Sequence, residues 1–98
     1  LSLLKAHAIL INLSRGGVVD ENALYTHLST NLSCSAALDV FEKEPTVHPK
    51  LLKAPNTLLL PHIGSATAET RSAIGMLAAN AIYLHFKDQA NSIPNRLN

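Results

Sequence analysis

The sequence predicts an α/β domain built around a mostly parallel sheet, and two observations lead to that fold class. Short apolar runs that suit strands alternate along the chain with segments of helical periodicity, which is the order in which strands and crossover helices build a parallel sheet. The apolar runs, at 8–12, 36–40 and 57–60, are nearly continuous. We therefore expect strands that are buried on both faces of the sheet.

The segments around these strands predict the remaining elements. Residues 1–6 look like the last turn of a helix, and Asp20 is placed to cap a helix over 21–28. Residues 42–56 contain three prolines and predict an excursion over the surface. Apolar residues at helical spacing predict a long helix over about 67–87, with Ser65 or Thr67 as its N-cap. The polar tail from Asp88 is expected to be loop.

Composition bounds the function classes. A chain of 98 residues, with 47% hydrophobic and 15% charged residues, suits one small globular domain and excludes a disordered one. The net charge of +1 argues against a nucleic-acid partner, and no apolar run approaches the length of a membrane span. The single Cys34 fits a reducing compartment and has no zinc-binding pattern around it. We expect a cytoplasmic protein without a metal site.

Polar groups follow each predicted strand directly, and they include residue types that carry chemistry. Arg15, Glu44 and His62 belong to three different groups of this kind. Because ligands gather at the carboxyl ends of parallel strands, these side chains are expected at one edge of the sheet. His62 could transfer a proton near neutral pH, Glu44 could fix the tautomer of its ring, and Arg15 could bind a carboxylate. Asp39 could accept a hydrogen bond from a carboxamide.

The same residues also have simpler interpretations. His62 could be a structural or surface histidine, and Glu42 to Glu44 could be a solvated loop. Arg15-Gly-Gly could be an ordinary turn, and in isolation it is weak support for RNA contact. Composition and periodicity alone therefore indicate only an α/β domain with a possible site.

Three strings make the interpretation more specific. Asn-Leu-Ser-Arg-Gly-Gly-Val-Val-Asp (12–20), Asp-Val-Phe-Glu-Lys-Glu-Pro (39–45) and Pro-His-Ile-Gly (61–64) resemble the signatures of the D-isomer-specific 2-hydroxyacid dehydrogenases. They occur in that family's order, and the resemblance covers essentially the whole chain. Within the family, Gly-Ser-Ala-Thr (64–67) followed by Glu-Thr-Arg (69–71) is most similar to the glyoxylate/hydroxypyruvate reductases. The resemblance implies the C-terminal part of a Rossmann-like NAD(P)-binding domain that ends in a long helix.

The resemblance implies a role for each matching residue. Arg15 matches the substrate-binding arginine, His62 the general acid/base, and Glu44 (not Glu42) its acidic partner, because the family's acid stands directly before the proline. The expected cofactor-binding residues around the nicotinamide are Leu13, Ser14, Arg15, Asp39, His62, Gly64 and Ser65. The implied reaction is reduction of a 2-oxo acid, such as glyoxylate or hydroxypyruvate, by NAD(P)H.

The resemblance also implies that parts are missing. The sequence has no Gly-x-Gly-x-x-Gly loop for the pyrophosphate. The residue that selects NAD or NADP is absent with this loop, so the sequence does not decide between the two cofactors. We expect residues 1–98 to be a partial domain, without the substrate domain, that turns over little by itself. The complete parent is expected to be a homodimer without nucleic-acid or membrane partners.

Other functions stay open at this point. D-3-phosphoglycerate dehydrogenase belongs to the same family, although its relatives often carry a regulatory extension after the long helix. Formate dehydrogenases are disfavoured because they have Gln where Glu44 stands. A corepressor related to the C-terminal-binding proteins would use the dinucleotide to control assembly, but its segment after Pro-His is more aromatic than Ile63 to Ala66.

Overall fold

The computed structural model describes residues 1–54, 56–87 and 92–93, and the chain divides into two compact units, 1–64 and 65–98. The first unit contains strands β1 (Ile9–Asn12), β2 (Ser35–Leu38) and β3 (Thr57–Leu59), together with helix α1 (Glu21–Thr30). The second contains helix α2 (Ala68–Phe86). These elements confirm the predicted α/β fold class and the predicted order of strands and helices.

The three strands form one parallel sheet in the order β1-β2-β3. Asn12 is paired with Leu38, and Leu38 with Leu59, so all three strands end at the same edge. The polar groups that follow the strands therefore leave the sheet at neighbouring positions, as the sequence predicts.

The core of the first unit lies between the sheet and α1. Leu24 and Leu28 of α1, which are one helical turn apart, pack with alternate residues of β2 and with Leu51. Asp20 caps α1, because its carboxylate accepts the backbone N–H of Ala23 at 2.8 Å. Cys34 is buried in the same cluster as a free thiol.

The prediction that the strands are buried on both faces is wrong for this structure. Ile9 and Ile11 of β1 and Leu58 of β3 are 57–68% exposed. Side chains alternate between the two faces of a strand, and within the first unit α1 covers only one of them. The exposed residues lie on the other face, although they are as apolar as the residues on the face that α1 covers.

Two local predictions also need correction. Residues 1–8 form turns and not the end of a helix, with hydrogen bonds from Leu4 N to Leu1 O and from Ala8 N to Lys5 O. The surface segment between β2 and β3 includes a short 3₁₀ helix, Leu51–Lys53, whose first residue is fully buried in the core. A loop rich in proline can thus still supply a core side chain.

Helix α2 has the length that the sequence predicts, and its cap is Thr67 and not Ser65. The Thr67 hydroxyl accepts the backbone N–H of Thr70 at 3.2 Å. None of the α2 residues is buried. Most of the predicted loop after Asp88 lies outside the described residues. Across the described part of the chain, no helix combines the length and the apolar character that crossing a membrane requires.

Candidate active site

The turn after β1 carries Arg15 and is organised by the buried side chain of Asn12. The Asn12 amide donates to the carbonyl oxygen of Arg15 at 2.9 Å. Its oxygen accepts the backbone N–H and the hydroxyl of Ser14 at 3.1 and 2.8 Å. Because one side chain satisfies both ends of the turn, the backbone of Arg15 is fixed while its guanidinium stays at the surface.

Glu44 and His62 form a direct pair. The Nδ1 atom of His62 lies 2.7 Å from Oε2 of Glu44, and the other carboxylate oxygen, Oε1, accepts the backbone N–H of Phe41 at 3.0 Å. The two side chains, His62 and Glu44, are 46% and 35% exposed, so the pair lies at the surface of the unit. The bond to Glu44 fixes Nδ1 as the donor in the pair, which leaves Nε2 of the ring for an external partner.

The charge of Glu44 is supported from three sides. The hydrogen bond from His62 is the largest cause that lowers the pKa of Glu44 below its ordinary value, followed by the N–H of Phe41. The positive charges of His62 and Arg15 lower that pKa further, while partial burial opposes them. Arg15, Glu44 and His62 each follow a strand that ends at the same edge of the sheet, so the three predicted catalytic residues leave the sheet at neighbouring positions.

Asp39 holds the turn that presents His62. Its carboxylate is 1% exposed and accepts the backbone N–H groups of Ile63 and Gly64 at 2.8 and 2.7 Å. The bond from Ile63 is the largest cause that lowers the pKa of Asp39, the bond from Gly64 and the charge of His62 add to it, and burial opposes it. His62 itself has a φ of 55°, in the left-handed region that non-glycine residues rarely adopt. Asp39 stabilises this unusual backbone.

The remaining predicted site residues divide into three groups. Leu13 and Ser14 lie in the turn after β1, with the Leu13 side chain 64% exposed. Gly64 lies against Asp39, because a Cβ atom at Gly64 would be 2.9 Å from the Asp39 carboxylate. Ser65 is the first residue of the second unit, whereas the other predicted site residues belong to the first unit. The cofactor contacts expected of Leu13, Ser14, Arg15, Asp39, His62, Gly64 and Ser65 stay predictions.

Comparison with known proteins decides the family. The family model described as "D-isomer specific 2-hydroxyacid dehydrogenase, NAD binding domain" matches residues 1–64, which is the whole of the first unit. This chain belongs to that family. The resemblance identified from the three strings is confirmed, and so is the fold, a Rossmann-like NAD-binding architecture.

The relatives that this chain resembles include a glyoxylate reductase and a glycerate dehydrogenase. A glyoxylate reductase of Thermococcus litoralis is 46% identical over all 98 residues, and a peroxisomal glycerate dehydrogenase of Arabidopsis thaliana is 47% identical over 81% of the chain. The chain covers 29% and 20% of these relatives' lengths. It therefore corresponds to less than a third of each of them.

A solved structure shows the same architecture. An NADPH-dependent glyoxylate/hydroxypyruvate reductase of Sinorhizobium meliloti, in complex with NADP and malonate, matches with a TM-score of 0.74 and 44% identity. The match covers 83% of this chain and 25% of that protein.

A cavity opens beside the Glu44–His62 pair in the first unit. It has a volume of about 310 Å³, and its walls are mostly apolar. Glu44 and His62 line it together with Phe41, Pro45, Val47, Leu52, Leu59, Leu60 and Pro61.

Several residues that hold the site together are not identified as such by the sequence patterns. In the sequence patterns, Asn12 is only a member of a motif, and Asp39 is only a possible cofactor ligand. Glu42 is the disfavoured alternative to Glu44, and Glu21 is only the start of a helix. A polar side chain directly after a buried strand is the one available signal for Asn12 and Asp39. For Glu21 and Glu42 the sequence offers no such signal, because their partners lie 21 residues away.

Proposed function

We propose that the complete protein containing this chain is an NAD(P)H-dependent D-2-hydroxyacid dehydrogenase that reduces a small 2-oxo acid, such as glyoxylate or hydroxypyruvate. The observation that carries the proposal is the 2.7 Å hydrogen bond between Glu44 and His62, formed at the strand edge where Arg15 also lies. A proton donor, its acidic partner and a carboxylate-binding cation are the groups that reduction of a 2-oxo acid requires. The relatives and the solved reductase support the same assignment.

The residues have separable roles in the proposed reaction. Arg15 binds the substrate carboxylate through its planar fork of donors. His62 in its charged form donates the Nε2 proton to the carbonyl oxygen, which becomes the new hydroxyl group. Glu44 accepts the hydrogen bond from Nδ1 at 2.7 Å and fixes the orientation of the ring, so that Nε2 faces the substrate. When the proton has left, the neutral ring stays in the orientation that Glu44 fixes.

The exposed, apolar Leu13 at the carboxyl end of β1 fits contact with a flat nicotinamide ring. Bound NAD(P)H supplies the hydride that adds to the carbonyl carbon of the substrate. The residues of this chain hold only the nicotinamide end, because the sequence has no glycine-rich loop for the pyrophosphate. We therefore propose that residues 1–98 are a partial NAD(P)-binding domain, and we expect the isolated chain to be inactive.

The proposal is tested by expressing the complete open reading frame that encodes this chain and following NAD(P)H oxidation at 340 nm. Glyoxylate, hydroxypyruvate and 3-phosphohydroxypyruvate form the substrate panel. We expect turnover with one of the first two, and a loss of about 10²- to 10⁴-fold in kcat for His62→Asn. Asn tolerates the left-handed backbone at position 62, so this variant separates chemistry from folding. Lack of turnover with every substrate would refute the proposal.

A second candidate has a specific observation in its favour. A D-3-phosphoglycerate dehydrogenase of Methanocaldococcus jannaschii is 43% identical over 84% of the chain, and the chain covers 16% of its length. A clear preference for 3-phosphohydroxypyruvate in the same assay would select this function. A protein that binds NAD(P)H but turns over no substrate would instead resemble the corepressor class.

We also propose a cytoplasmic homodimer without a nucleic-acid or membrane partner. The support is the buried, free Cys34, which suits a reducing compartment, and the small net charge. The peroxisomal relative in Arabidopsis makes the compartment an experimental question. Cell fractionation and analytical ultracentrifugation of the complete protein test the compartment and the dimer.

A further inference from the structure

The loop that carries Glu44 is joined to the start of α1 by a reciprocal pair of hydrogen bonds. The carboxylate of Glu42 accepts the backbone N–H of Glu21 at 3.0 Å, and the carboxylate of Glu21 accepts the backbone N–H of Glu42 at 2.7 Å. Glu21 is 4% exposed, so its carboxylate is enclosed at this contact. We call these two residues the glutamate clamp.

Helix capping alone does not explain the clamp. The first N–H groups of a helix have no partner within the helix and accept capping from nearby side chains. Asp20 already provides the local cap of α1 through the N–H of Ala23. Glu42 adds a second carboxylate from another segment of the chain, and Glu21 returns a bond to that segment. The clamp therefore fixes one segment relative to the other.

The two segments that the clamp joins both carry predicted catalytic residues. On one side, α1 follows the turn that contains Arg15. On the other, Phe41 is adjacent to Glu42, and its N–H holds one oxygen of Glu44 while His62 holds the other. Glu21 is thus connected to His62 through the hydrogen bond to Glu42, the backbone between Glu42 and Phe41, and the two hydrogen bonds of the Glu44 carboxylate.

We infer that Glu21 and Glu42 are positioning residues, which set the place of Glu44 and through it the orientation of the His62 ring for proton transfer. This inference rests on the proposed dehydrogenase function. A carboxylate that is displaced by about 1 Å can lower the rate about a hundredfold although it does not touch the substrate. The clamp supplies the constraint that prevents such a displacement.

The first test uses steady-state kinetics of the complete protein. We expect Glu21→Ala and Glu42→Ala each to lower kcat about ten- to a hundredfold, with KM for NAD(P)H changed less than about twofold, because the lost positioning acts on the chemical step. The acidic limb of the pH profile should move to higher pH, since a displaced Glu44 loses the bonds that keep it ionised. The double variant should be no slower than the slower single variant, since either change opens the same clamp.

Matched variants separate positioning from general stability. Glu21→Gln and Glu42→Gln retain an oxygen that accepts the same N–H, so they should restore most of the kcat lost in the alanine variants. Lys43→Ala changes an exposed residue between the two glutamates of the loop and should keep the pH profile unchanged. Alanine variants that keep full kcat, or that lose kcat and melting temperature with an unmoved pH profile, would overturn the inference. Glutamine variants as slow as the alanine variants would overturn it as well.

A readout without substrate distinguishes failure of this inference from failure of the proposed function. A proton on Nδ1 of His62 that is bonded to a carboxylate gives a downfield proton NMR signal, which His62→Asn assigns by its disappearance. The signal should be lost or broadened in Glu42→Ala and kept in Glu42→Gln and Lys43→Ala. An intact signal in a folded Glu42→Ala variant refutes the clamp whether or not the protein reduces oxo acids. If the protein shows no turnover but the NMR signal follows this pattern, only the proposed reductase function is refuted.

Discussion

Gly16, the residue after Arg15, is placed where a side chain would collide with the loop of Glu44. A Cβ atom at Gly16 would lie 2.0 Å from the carbonyl carbon and oxygen of Phe41 and 2.4 Å from the backbone nitrogen of Glu42. Ordinary contacts between carbon atoms are about 3.5 Å, so Gly16→Ala would push the Phe41 backbone away by about 1.5 Å. The groups in the way are backbone atoms, which cannot rotate aside as a flexible side chain could.

Two effects of Gly16→Ala should be measurable. Overpacking of this kind typically costs about 1–3 kcal/mol in the free energy of unfolding, which urea denaturation of the complete protein would report. Because Phe41 N–H holds Glu44, the displacement should also lower kcat about a hundredfold. Both effects have the same cause, so they should appear together.

Gly17→Ala is the matched control for Gly16→Ala. It makes the same chemical change one residue along the chain, where no heavy atom of the described residues, apart from the chain neighbours of Gly17, lies within 4 Å of the added Cβ. Its free energy of unfolding should change by less than about 0.5–1 kcal/mol, and its kcat should stay close to that of the unchanged protein. If Gly16→Ala is as stable and as active as Gly17→Ala, the reasoning from close backbone approach is refuted.

The remaining predictions concern the stability that carboxylates contribute. Asp39→Asn leaves only one acceptor oxygen for the two N–H groups that hold the His62 turn, so melting temperature at pH 7 and kcat should both fall. The folded pKa of Asp39 lies below its ordinary value of 3.8; its contribution is present above that pH and is lost as the pH falls through the folded pKa. The melting-temperature difference from the unchanged protein should therefore shrink below about pH 4, and a difference that stays constant to about pH 2 would contradict this role. Asp20→Ala should cost about 1 kcal/mol through loss of the α1 cap, whereas Asp20→Asn should restore most of it; equal losses in urea denaturation would contradict the cap.

Local chemistry along the chain predicts several elements from neighbouring residues alone. Asp20 indicates the start of α1, because a short acceptor before an apolar periodic segment can cap a helix there. The apolar runs identify the strands, and the alternation of strands and helices identifies the parallel sheet. That topology alone places the turns of Arg15, Asp39 and His62 at one edge. The family resemblance selects the acid directly before Pro45, and this acid is the one that contacts His62.

Contacts between residues that are distant along the chain do not follow from such patterns. The reciprocal bonds of Glu21 and Glu42, the approach of Gly16 to Phe41 and the exposure of Ile9 depend on how the segments pack. Local patterns encode periodicity, capping and turn chemistry, because these involve neighbours within a few residues.

The sequence by itself therefore determined the family and the sheet, and it predicted Arg15, Glu44 and His62 as the candidate catalytic residues. Only the tertiary structure showed the bonds from Ile63 and Gly64 to Asp39 and the reciprocal bonds between Glu21 and Glu42, because a hydrogen bond is defined by distance and direction in space.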